Sequence, residues 1–202
     1  MFAFDGGDVV SVSLFDVWTT INQFIYDIWM SVMQWDWLND HLRAVLNTLY
    51  YTPMGEFLRT STWGWPLFES LHFTGMSVLA GTIVMFDLRL LGFARAVPVR
   101  AMHKLIPFGI GGFLVNMSTG ICFICATPDQ YLFNAAFRWK VIFITTAGLN
   151  VLFFYTRVFR RLEAFSDEHH TPPIAARLVG GVSLFAWVGV MTAGRLLTFF
   201  RP

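Results

Sequence analysis

The stretch PLFESLHFTGMSVLAGTIVMFDLRLL, residues 66–91, decides the fold. It exceeds the ~20 residues that an α-helix needs to cross a bilayer. Between Glu69 near its start and Asp87 near its end, the only titratable residue is His72. A second long apolar stretch, residues 174–200, carries Arg177 and Arg195 at matching places. Each pair is 18 residues apart. On a helix that spacing is a whole number of turns, so each pair shares one face, roughly 27 Å apart along the axis. If the two helices pack antiparallel, Glu69 meets Arg195 at one membrane boundary and Asp87 meets Arg177 at the other.

Two more stretches, residues 106–126 and 139–155, complete a set of four expected spans. The short connections between spans predict that sequence neighbours are antiparallel neighbours in space. Pro66 suits the first turn of the first helix. Composition agrees with a membrane protein. The 202 residues are 55% hydrophobic and 13% charged, against about 25% charged in soluble domains. The 22 Phe and 8 Trp suit long lipid–water boundaries. A net charge of +1 excludes a nucleic-acid binder built on a basic surface. Two cysteines, Cys122 and Cys125, exclude a disulfide framework. Residues 1–10 hold two aspartates and no basic residue, so no secretory signal is expected there.

Basic residues set the expected orientation. Arg89, Arg95, Arg100 and Lys104 cluster after the first span, and Arg157, Arg160, Arg161 and Arg177 between the third and fourth. The positive-inside rule puts residues 92–105 and 156–173 in the cytoplasm. Arg138, Lys140, Arg195 and Arg201 fall on the other side.

Residues 1–60 read differently. Leu14, Trp18, Ile21, Ile25, Ile28 and Val32 form an apolar stripe opposite Asp16, Gln23, Asp27 and Gln34, the pattern of an amphipathic helix. A second such helix covers 37–51, with Leu38, Leu42, Val45 and Leu49 as its stripe. Thr52 and Pro53 read as N-cap and first position of a short helix reaching Arg59. This leader is expected on the extracytoplasmic surface, giving domains 1–60 and 61–202. A rival reading makes 9–33 a fifth span, with its aspartates facing protein or a water-filled pore. Thr127-Pro128-Asp129-Gln130 has a capping-box pattern and predicts a short interfacial helix over 128–137.

Several residues have the chemistry for a site. Glu69, His72, Met76, Ala80, Ile83 and Asp87 make one stripe at helical spacing. Ionisable groups inside a membrane are costly and face the bundle interior. His72 is either a haem or metal ligand or proton carrier, or a structural histidine bonded to Glu69 or a neighbouring helix. Haem takes His and Met as axial ligands, which makes Met76 a second candidate. His103 lies a bilayer's width from His72 in this topology, so the two do not share a haem. His169 and His170 fall in the cytoplasmic loop, and His41 in the leader. Cys122 and Cys125 share a helical face at the depth of His72. With His72 and Met76 they suit a soft metal such as Cu(I), or they form a redox pair, or they pack as small apolar residues. Lys140 and Arg195 are the positive groups beside Glu69, joined by Arg138 and Asn134. Asn116 and Asn150 suit interhelical hydrogen bonding, and the many glycines suit close helix contact. No serine elbow, phosphate loop or HExxH motif occurs.

The phrases Trp65-Pro66, Glu69-x-x-His72, Asp87-Leu88-Arg89-Leu90-Leu91-Gly92, Phe137-x-x-Lys140 and Gly194-Arg195 resemble those of an uncharacterised family of small four-helix bacterial membrane proteins. The resemblance covers roughly residues 63–198 and implies a bacterial inner-membrane protein without an agreed activity. Helix count and histidine use are also reminiscent of b-type cytochromes and the copper-resistance D membrane domain, which implies haem b or copper. The expectation is thus an all-α polytopic membrane protein, an antiparallel four-helix bundle with amphipathic N-terminal helices. Three functions are open: a non-catalytic subunit or homo-oligomer pinned by its charged stripe, a redox protein with His72 as ligand, or a proton or small-solute route along Glu69, His72 and Arg195.

Overall fold

The computed structural model describes residues 13–33, 36–93, 97, 99–132, 134–159 and 172–199. Among these there are helices and connections but no strands. The chain divides into two compact units, residues 1–43 and 44–202.

The first unit contains α1 (Leu14–Met33). Ser13 opens it with a reciprocal cap. The Asp16 backbone N–H donates to Ser13 Oγ at 3.1 Å, and the Asp16 carboxylate accepts from the Ser13 backbone at 2.9 Å. The Ser13 hydroxyl also donates to the carboxylate at 2.7 Å, and this bond, with the one from the Ser13 backbone, favours the ionised form and holds the Asp16 carboxyl below its usual range. Farther along, Gln23 donates to Asp27 at 2.8 Å. The helix is long enough to cross a membrane but is not among those apolar enough to do so. The α2 helix (Asp36–Tyr50) follows.

In the second unit, α3 (Pro53–Thr60) starts as its sequence predicts, with Thr52 Oγ1 accepting from the Gly55 N–H at 3.2 Å. Four helices long and apolar enough to span a membrane follow. These are α4 (Gly64–Leu91), α6 (Ile106–Ala126), α8 (Ala135–Phe153) and α9 (Ile174–Leu196), with the short α5 (Val99–His103) and α7 (Pro128–Leu132) between them. A π turn over Phe154–Val158 carries α8 on. Its wide turn keeps Phe154 and Val158 on one side, where both are buried with Leu90, Ala176 and Val179.

Helix ends follow local chemistry. Gly92 has φ 97°, donates to Arg89 O at 3.2 Å, and is followed by Phe93, which donates to Leu88 O at 2.9 Å. This is a Schellman stop, and it gives Gly92 its role in the DLRLLG phrase. Two termini differ from expectation. The helix begun at Pro128 stops at Leu132 and does not reach 137. Asn134 then caps α8 by accepting from the Ala136 N–H at 2.9 Å, so the third span begins at 135 rather than 139. The Thr127 hydroxyl turns back to Phe123 O in α6, at 3.5 Å.

Without a hydrophobic driving force between apolar helices in lipid, close packing and hydrogen bonds decide which pairs meet. The α4–α6 pair is antiparallel: His72 meets Thr119, Gly75 meets Asn116, and Gly109 meets Thr82. A Cβ on Gly112 would lie 2.7 Å from Gly75 O, so the backbones touch there. The α8–α9 pair is antiparallel too, with the Phe143 ring over Gly189 and Asn150 donating to Val179 O at 3.0 Å. Helices α4 and α9 join the two pairs, with Gly180 against Asp87 and Leu90. Among the described residues α6 and α8, though consecutive spans, do not pack along each other. Among the described residues the spans therefore pack in the order α6–α4–α9–α8. The α7 turn and the Asn134 cap lie in the α6–α8 connection, and Asn134 Nδ2 ties α8 to Leu197 O of α9 at 3.1 Å.

Candidate functional site

Ionisable groups gather at the two ends of α4. At the Glu69 end, α4 presents His72 to α6. The Thr119 hydroxyl lies 2.7 Å from Val115 O, a carbonyl that can only accept. The single hydroxyl proton goes there, so Thr119 Oγ1 accepts a hydrogen bond from His72 Nδ1–H, 2.7 Å away. This assigns the Nδ1–H tautomer to the neutral ring and leaves Nε2 as its free lone pair. The Phe123 ring stands edge-on to the imidazole with centroids 5.7 Å apart, and Trp65 packs on Phe123 at 4.9 Å. Thr119 is a partner that sequence reasoning missed. Its signal was weak, since a threonine inside an apolar helix ordinarily bonds its own backbone.

Lys140 approaches the same region from α8. It is half-buried, and a Cβ on Gly194 of α9 would lie 3.8 Å from its Nζ. Its charge acts on His72. Among the described residues it makes no hydrogen bond or ion pair. Glu69 and Arg195 are both exposed, and no ion pair joins them. Glu69 acts instead on Tyr131 of α7. Burial, with the Glu69 charge added, pushes the Tyr131 phenol up to about 12. Arg138 is buried one turn into α8, at 4% exposure.

At the other end Asp87 is 3% exposed with the Ser183 hydroxyl of α9 beside it, yet its Oδ2 has no hydrogen-bond partner. Arg177 leaves its Nε unpartnered, and no ion pair joins it to Asp87. Both expected charge pairs are therefore brought to neighbouring helices without closing. Arg89 folds inward to 6% exposure and donates from Nε to Val97 O at 2.7 Å. His103 packs against Phe86 and Phe159, with centroids at 5.8 and 4.9 Å. It thus sits at the opposite end of α4 from His72.

Cys122 and Cys125 are free thiols, the first half-buried and the second buried. Among the described residues no group of three His, Cys, Asp or Glu side chains is placed to hold a metal. Met76 is half-buried on α4, one turn beyond His72. His41 belongs to the 1–43 unit, and His169 and His170 lie outside the described residues.

Arg59 holds α3 to the bundle. Its Nη1 donates to Cys125 O and Ala126 O at 3.2 and 3.3 Å, capping the carbonyl end of α6. Its Nη2 donates to Tyr50 O at 2.7 Å, and the guanidinium lies 3.7 Å over the Tyr50 ring.

Residues 59–200 match the family described as "Family of unknown function (DUF6644)". No curated protein and no solved structure matches the chain.

Proposed function

The chain belongs to that family, and on this premise we propose that it is a non-catalytic integral membrane component whose working site is the polar cluster of the Glu69 end, a binding place and route for a proton or small solute. Lys140 carries this reading. A half-buried cation in a spanning helix without a partner is costly, and such groups mark substrate and ion pathways. The neighbouring His72 has one nitrogen engaged and one open. Purely as register pins, the four end charges would have closed into pairs. Asn150, Asn134 and the His72–Thr119 contact already tie the helices together with neutral hydrogen bonds.

The basic residues after the first and third spans support placing residues 92–105 and 156–173 in the cytoplasm of a bacterial inner membrane and residues 1–60 outside it. The exposed apolar side chains of α1, Leu14, Phe15 and Phe24 among them, support contact with lipid, a second copy or another subunit.

The test is proton and solute flux in proteoliposomes holding a pH-sensitive dye. Glu69→Gln and Lys140→Gln should each abolish protein-dependent flux while the protein still elutes as one assembled species. Unchanged flux in both variants would reject the route.

A further inference from the structure

We propose that Lys140 binds the carboxylate of a single-chain fatty acid, which enters the bundle sideways from the lipid between α6 and α8. This rests on the reading of the Glu69 end as a binding site, and it names the ligand class.

Lys140 shares the α9-facing side of α8 with Ala136, Phe143 and Ala147. Its ammonium lies over Gly194, where the absence of a side chain leaves room beside Nζ. Both α4 and α9 bring charged or titratable groups toward this end. From α4 come exposed Glu69, which acts on Tyr131, and His72, whose Nδ1 bonds Thr119. From α9 comes Arg195, another cation and exposed. Among the described residues none of these supplies Lys140 with a counter-charge. The complement of an ammonium with no counter-charge among the described residues is one monoanion.

Depth narrows the choice. Lys140 stands five residues into α8, roughly 7.5 Å along its axis. A phospholipid's phosphate stays in the headgroup layer, whereas the small head of a fatty acid can be drawn to that depth by a cation. The chain supplies the way in. Because α6 and α8 do not pack along each other, an alkyl tail can lie between them in lipid while its head reaches Lys140.

The test uses the full chain in neutral phosphatidylcholine nanodiscs with carboxyl-13C oleate. A second carboxylate resonance, distinct from that of free oleate in the disc, is expected for the wild type. Lys140→Gln should weaken this binding about tenfold or more, the scale of one lost charge contact. The control Lys104→Gln, at an exposed position, should leave it unchanged. Gly194→Leu keeps the cation and fills the space beside it, and should also remove the resonance. This second variant stands if Lys140→Gln does not fold. Oleyl alcohol and acetate are the competitors. Displacement by the alcohol at equal concentration would overturn charge recognition. Displacement by acetate as effective as by oleate would overturn the lipid source. A resonance that never forms, or that survives both substitutions, overturns the proposal outright, while flux through the same site stays separately measurable.

Discussion

His72 Nδ1 and Thr119 Oγ1 lie 2.7 Å apart across the α4–α6 interface, and the hydroxyl's own bond to Val115 O makes the imidazole the donor. One threonine thus fixes the ring's position, its tautomer and which nitrogen is engaged. Thr119→Val keeps the shape and removes the acceptor, leaving a half-buried N–H unsatisfied. The expected cost is about 1–2 kcal/mol, at the upper end of what interhelical bonds contribute in membranes. Thermal unfolding in detergent measures it. Nitrogen-15 NMR should show His72 as the Nδ1–H form in the wild type and as mixed tautomers in the variant, and a wild-type Nε2–H form would refute the assignment.

Two adjacent glycines in α6 should respond oppositely to the same change. A Cβ on Gly112 would meet Gly75 O at 2.7 Å and Leu79 N at 2.8 Å, both backbone atoms that cannot swing away. A Cβ on Gly111 would meet nothing within 4 Å. Gly112→Ala should destabilise by about 1–3 kcal/mol as α4 and α6 are pushed apart. Gly111→Ala should be neutral or slightly stabilising, because alanine is the better helix former. Equal melting temperatures for the two variants would argue against backbone contact at this crossing.

The Tyr131 phenol gives the pH prediction. Burial and Glu69 raise it to about 12 in the folded protein, while an unfolded tyrosine ionises near 10. Between those values the folded state binds more protons than the unfolded one. Stability is therefore whole below about pH 10 and falls as pH rises toward the folded value. Glu69→Gln removes the negative neighbour and should move the phenolate midpoint downward, although burial, the larger cause, keeps it above 10. The difference in ultraviolet absorbance between wild type and Tyr131→Phe follows the transition, and an unshifted midpoint in Glu69→Gln would separate the two residues electrostatically.

Much of the architecture was legible before any coordinates. Run length and apolar content marked the four spans, because lipid admits only helices with internally satisfied backbones. Thr52 announced the start of α3 through local chemistry. The charge ladder pointed to antiparallel neighbours, and α4 and α9 do pack that way, but the ladder does not close. Charges near helix ends can reach water or other groups, so equal spacing along two helices does not establish contact. Nothing in the sequence put α6 and α8 apart. Nor was Arg59 legible as the clamp on α6, since its acceptors are backbone carbonyls far along the chain and any residue type can supply those.

The sequence by itself determined the four apolar helices long enough to span, the start of α3 and the residue types available for chemistry, because these depend on hydropathy and on bonds reaching only a few residues. Tertiary structure alone decided that His72 is held by Thr119, that Asp87 faces Ser183 rather than Arg177, and that Lys140 stands beside Gly194 with no counter-ion among the described residues. Those outcomes turn on which glycines let two backbones touch and on how each helix is rotated about its axis. Both are properties of the packed set of helices and of no single one.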